Sequence, residues 1–125
     1  MESLRLDPPI PLSTIHVTTE DCKLHTGELL PRGTRFMFNF FAIHRDASQY
    51  QEPDKFIPER YSKRSEFYLT PGNTQRHPLS WCPFMTGHRQ CNGNQFAFMV
   101  AKTVTSMFLA AMPEIDFRDS DEYHN

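Results

Sequence analysis

Disulfide chemistry has little to work with in this chain. Its 125 residues hold 3 cysteines, an odd number, and no two of them form a CxxC pair. A disulfide framework is therefore excluded as the organising device, and reduced thiols in a cytosol-facing compartment fit better. Charge of one sign is missing too: 13 Lys and Arg stand against 15 Asp and Glu, for a formal net charge of −2. That balance gives no electrostatic case for nucleic acid. No stretch is apolar enough for a spanning helix, because the longest, residues 96–112, is broken by Lys102. No secretory signal and no internal repeat is visible. Hydrophobic residues make up only 38%, which allows one domain at most, with a modest core.

Proline, by contrast, is plentiful at 10, so much of the chain is expected to be loop. "MESLRL" is compatible with the last turn of a helix, and "DPPIP" stops it, since Pro8, Pro9 and Pro11 lack an N–H and constrain the residue before. "STIHVTTE" reads as a strand, and "CKLHTGELL" as a hairpin turning near Gly27. "PRGTRFMFNFF" predicts a turn and then a strand with Phe36, Phe38 and Phe40 on one face. "FAIHRDAS" predicts a short helix. Residues 51–65 read as a loop with one helical turn, and residues 66–81 as ordered coil. From Asn94 to Met112 apolar residues recur at helical spacing around most of the circumference, the pattern of a helix buried in a body larger than this chain. Pro113 ends it, and "EIDFRD" predicts a final strand.

The chemistry concentrates in residues 83–97, "PFMTGHRQCNGNQFA". Cys91 stands at the mouth of the predicted helix, where N–H groups and the helix dipole favour a thiolate over a thiol. Gly93 lets the backbone come close to the sulfur, and Gly87 permits a tight turn before it. Such a thiolate has three possible uses: a nucleophile, a zinc ligand, or an axial ligand to haem iron. For zinc, the set is Cys82, His88 and Cys91 with His77, at a spacing unlike common zinc patterns. For a nucleophile, no His or Asp spacing supports a triad. For haem, Arg89 can reach an anionic propionate by charge-assisted hydrogen bonds, and Phe84 can keep water from the sulfur. Cys22 and Cys82 read as surface or packing residues.

Phe84-x-x-Gly87-x-Arg89-x-Cys91-x-Gly93 resembles the haem-binding signature of the cytochrome P450 family at all five specified positions. Ala97 fits the small residue where that family's helix passes under the haem. Glu2-Ser3-Leu4-Arg5 is similar to the family's ExxR motif, and Pro58-Glu59-Arg60-Tyr61 to its PERF motif. The resemblance implies that Glu2, Arg5 and Arg60 form a structural network, one carboxylate between two guanidiniums. It also implies that His16 takes the place of an Arg that faces a propionate in many members, as a weaker clamp whose charge depends on pH. Two departures stand out. Met85 replaces a further Gly, and Asn92 follows the cysteine where an apolar residue is usual.

The implied fold is mostly α with small β-sheets: the end of the K helix, short β-hairpins, a meander coil, the cysteine-ligand loop and the L helix. Residues 1–125 are then a partial haem-binding domain, a fragment of one larger domain. The implied cofactor is haem b with Cys91 as its axial thiolate, and the implied activity is monooxygenation of a small apolar substrate. Electrons come from a reductase partner. The acid–alcohol pair, most substrate contacts and a membrane anchor are expected upstream of Met1, so membrane association rests on that segment. The endoplasmic reticulum membrane, cytosolic face, is the expected location of the parent protein. No residue of this chain is a candidate catalytic acid or base. A haem-binding or interaction remnant without turnover is the alternative.

Overall fold

The computed structural model describes residues 1–115. The chain divides into two compact units, Met1–Gly87 and His88–Asn125. Unit one opens with a short helix α1, Glu2–Leu6. Its end is closed by the Asp7 N–H donating to the Ser3 carbonyl at 2.8 Å, just before the prolines that cannot continue it.

Four two-residue strands follow: β1 His16–Val17, β2 Cys22–Lys23, β3 Leu29–Leu30 and β4 Arg35–Phe36. β1 pairs antiparallel with β4, placing His16 opposite Phe36. Between them β2 and β3 form the predicted hairpin, with Cys22 opposite Leu30. Its turn needs Gly27, whose φ of +96° lies in the left-handed region.

The predicted run of Phe36, Phe38 and Phe40 along one strand is corrected at its end. Phe36 and Phe38 do meet edge to face at 5.5 Å. Phe40, however, opens a helix, α2 Phe40–Ile43, and is buried. Asn39 is the reason: its side chain accepts from the Ala42 N–H at 3.0 Å, and this local cap stops the extended backbone.

Beyond α2 the chain is irregular, with single 3-10 turns at Pro58–Tyr61, Glu66–Tyr68 and Pro78–Ser80. Order here comes from side chains bonding to backbone rather than from ladders. Of the twelve buried residues described, only Pro8, Phe40, Tyr50 and Cys82 are apolar or aromatic. The other eight are polar or charged, so the centre of this unit is a hydrogen-bonded core.

In the second unit α3 spans Asn94–Ala111, within one residue of the sequence expectation. None of its residues is buried. Phe96 is 65% and Met107 67% exposed. Of the strand expected over residues 114–119, Glu114 and Ile115 are described and lie in no strand, and residues 116–119 lie outside the described residues. Helices outweigh strands and the sheets are small and antiparallel, as the sequence predicted. No described helix is long and apolar enough to cross a membrane.

Candidate functional site

The structure brings Glu2, Arg5 and Arg60 together at the buried centre of the first unit. Both guanidiniums are fully buried, and Glu2 is 3% exposed. Arg5 grips the carboxylate in bidentate fashion, Nε to Oε2 and Nη2 to Oε1, each at 2.8 Å. Arg60 Nε and the Ile57 backbone N–H both donate to Oε1 at 3.0 Å. Remaining donors are satisfied by carbonyls. Arg5 Nη1 reaches His44 O at 2.9 Å, and Arg5 Nη2 reaches Lys55 O at 3.0 Å. Arg60 donates to the carbonyls of Gln51, Glu52 and Lys55. Burial pushes the Glu2 carboxyl up, but the bonds from Arg5 and Ile57, the Arg5 charge and the bond from Arg60 outweigh it. The net pKa lies below the usual 4.5. Burial likewise lowers Arg60, against the bond to Glu2 that raises it.

Sequence reasoning missed three members of this core. Arg76 donates to Arg60 O at 2.7 Å and to Phe67 O at 2.9 Å. Tyr50, almost fully buried, lies with its ring 5.0 Å from the Arg5 guanidinium and 5.2 Å from that of Arg76. Its hydroxyl donates to Ser80 O at 3.0 Å. His44, with no exposed surface, caps α2 and stacks on Phe40 at 6.2 Å. Its Nε2 accepts from the Cys82 backbone N–H at 3.1 Å. Arg76 and Tyr50 sit in no spacing pattern; His44 opens a His-Arg-Asp run that resembles the family's HRDP segment, but the run by itself gives no role, which only the folded chain reveals.

Towards the cysteine loop, the Met85 N–H donates to Cys82 O at 3.1 Å, closing a turn over residues 82–85. Met85 has φ +63° and Gly87 φ +67°. Glycine occupies this region freely, whereas Met85 is a side chain held in a sparsely used conformation where the family resemblance has glycine. Phe84 is half-buried. A 3-10 turn, Gly87–Arg89, leads to Cys91, and both Arg89 and Cys91 are exposed.

Cys91 precedes α3 by two residues and is a free thiol. Gly93 is the N-cap of α3 at an ordinary φ of −87°, and no side chain caps the helix start. A Cβ at Gly93 would lie 3.7 Å from Cys91 Sγ. That is an ordinary van der Waals contact, so neither a clash with the sulfur nor a special backbone angle requires glycine at this position. The Ala97 N–H closes the first turn onto Gly93 O at 2.9 Å, and the Ala97 side chain is exposed.

Each unit, taken by itself, carries one feature suited to a haem. The sulfur of Cys91 is accessible and unpaired beside an uncapped helix start. In the first unit His16 Nε2 is buried without a hydrogen-bond partner, its ring stacked on Phe36 at 5.5 Å and edge-on to Phe38 at 5.6 Å. A four-ligand zinc site does not fit. Among the described residues no three His, Cys, Asp or Glu side chains gather to hold a metal ion. His77 Nδ1 instead accepts from the Leu79 N–H at 3.2 Å, and Cys82 is buried, with its thiol donating to Leu79 O at 3.3 Å.

An accessible cysteine ahead of a long helix in the second unit, and an arginine-clamped carboxylate in the first, are features that a cysteine-ligated haem protein would carry. Comparison with known proteins makes this specific. The sequence profile of the family described as Cytochrome P450 matches residues 1–112. The chain belongs to the cytochrome P450 family. It is 41% identical over 100 residues to cytochrome P450 CYP82J17 of Trigonella foenum-graecum, a match covering 79% of this chain and 18% of that protein. Vinorine hydroxylase of Rauvolfia serpentina is 37% identical, over 86% of this chain and 22% of its own length. Among solved structures, the retinoic acid-bound cyanobacterial CYP120A1 superposes with a TM-score of 0.74 at 28% identity, over 87% of this chain and 24% of that one. The chain thus spans about a fifth of the length of the curated relatives it matches. Family membership implies haem iron with cysteine-thiolate ligation.

Proposed function

We propose that this chain supplies the iron-ligand half of a haem-thiolate monooxygenase. The observation that carries the reading is the Cys91 sulfur, an exposed free thiol just ahead of α3. Cys91 would hold the iron through its sulfur. Arg89, on the turn before it, offers a guanidinium to a propionate. His16 offers one N–H to the other: its buried, unpartnered Nε2 costs roughly 1–3 kcal/mol until an acidic group meets it. Phe84 shields the sulfur from water, Gly87 turns the chain into the loop, and Ala97 keeps the first turn of α3 slim beneath the ring. Glu2, Arg5 and Arg60 hold the body of the unit. Haem bound there supplies dioxygen activation, with one oxygen atom entering the substrate and the other leaving as water, using two electrons from a reductase partner.

The substrate is a small apolar molecule, and the enzyme works as part of a longer chain at the cytosolic face of the endoplasmic reticulum membrane. The exposed apolar side chains of α3 support that reading, because they are what the rest of a haem domain would cover. The test is spectroscopic. The reduced, full-length protein under carbon monoxide is expected to show the red-shifted Soret band of thiolate-ligated haem, and Cys91→Ser to abolish it. A band retained in the Cys91→Ser protein would sink the ligand assignment.

A further inference from the structure

We propose that His44 is a positioning residue for the cysteine ligand, tying the segment that leads into the Cys91 loop to the buried Glu2–Arg5–Arg60 network. The inference rests on the haem-thiolate reading above. Its geometry is complete within the first unit. One face of His44 belongs to the network, since its carbonyl accepts from Arg5 Nη1 at 2.9 Å. The opposite link is the imidazole, whose Nε2 accepts from the Cys82 N–H at 3.1 Å. Phe40, stacked at 6.2 Å, fixes the ring plane. Nine residues beyond this anchor comes Cys91. Between them lie the left-handed Met85 and Gly87, so the entry to the loop is a strained turn that needs a fixed root.

Only a neutral imidazole can accept at Nε2, and the ring proton then sits on Nδ1, which is buried without a hydrogen-bond partner. The surroundings enforce neutrality. Burial lowers the His44 pKa, the Arg5 backbone offsets part of this, and the charges of Arg5 from α1 and Arg45 beside it lower it further. The Cys82 side chain adds no charge, because burial raises its pKa and its thiol donates to Leu79 O. Protonation would turn Nε2 into a donor aimed at another donor, and the root of the turn would be released.

Two substitutions separate this role from simple packing. Gln at position 44 can keep an acceptor near the Nε2 place but does not titrate, while Leu fills space without one. In the full-length, haem-loaded protein the readout is the balance of thiolate-type and thiol-type Soret bands in the reduced carbon monoxide complex, followed as pH falls. The native protein is expected to convert to the thiol type on acidification. His44→Gln should hold the thiolate band through that range. His44→Leu should raise the thiol-to-thiolate ratio about tenfold even at neutral pH, the effect of orphaning one buried donor. An acid transition in His44→Gln at the native pH, or a native ratio in His44→Leu, overturns the proposal. Hydrogen exchange of the Cys82 amide in the native protein is an independent measure should a variant fail to fold: strong protection at neutral pH is expected, and exchange as fast as that of an exposed loop amide overturns it. A native protein with no thiolate band at any pH would count against the haem reading, while the amide measurement would still decide the His44 anchor.

Discussion

Glu2 receives two guanidiniums and a backbone amide while almost wholly removed from water. Among the described residues, its carboxylate is the one anionic partner of both Arg5 and Arg60. Replacing it by glutamine leaves two buried cations facing a neutral amide. Glu2→Gln is therefore expected to destabilise the fold by about 3–5 kcal/mol in urea unfolding. The pH dependence follows from the direction of the shift. A carboxyl whose folded pKa lies below 4.5 stabilises the fold fully above the ordinary carboxylate range. That contribution disappears as pH falls through the lowered folded value. Native protein should thus lose stability across that acid window, and Glu2→Gln should lose less. Equal slopes for the two proteins would remove Glu2 as the cause. The pairing itself was legible at this scale, because two short motifs carried Glu2, Arg5 and Arg60. Arg76 and Tyr50 were not legible, since a guanidinium that bonds backbone carbonyls leaves no trace in residue spacing.

At the scale of elements, legibility tracked locality. α3 was readable because eighteen residues repeat one helical pattern, and Pro113 marks its end. The β2–β3 hairpin was readable from Gly27, which alone fits the turn cheaply. The boundary at Asn39 was misread because three alternating phenylalanines suggested a continuing strand, while one side-chain cap decided otherwise. Asn39→Ala is expected to cost about 1 kcal/mol by removing that cap, and Asn39→Asp to cost much less. Chemical denaturation of the two variants checks this. Equal losses would mean that Phe40 is seated by packing alone. The long coil after α2 shows the opposite extreme. Its order depends on Arg60, Arg76, Thr70 and Gln51 bonding across many residues, and no local pattern announces such bonds.

For the whole molecule, the two units differ in what covers them. The first has a polar core closed by its own arginines. In the second, most apolar residues of α3 stand exposed among the described residues. Residues 1–125 by themselves are expected to take up haem weakly, because one sulfur and a few propionate donors do not enclose a cofactor that the rest of the domain would bury. Absorbance titration of the isolated chain with haem measures this, and tight stoichiometric uptake with a thiolate spectrum would refute it. The sequence by itself determined the ligand motif, the helix behind it and the carboxylate–arginine trio, because each is encoded in neighbours a few residues apart. Only the tertiary structure decided that His44 holds the root of the cysteine segment, that Arg76 and Tyr50 complete the core, and that His16 carries a buried nitrogen without a partner. Those facts depend on atoms brought together across tens of residues, and hydrogen bonding at that range is set by the folded path of the backbone.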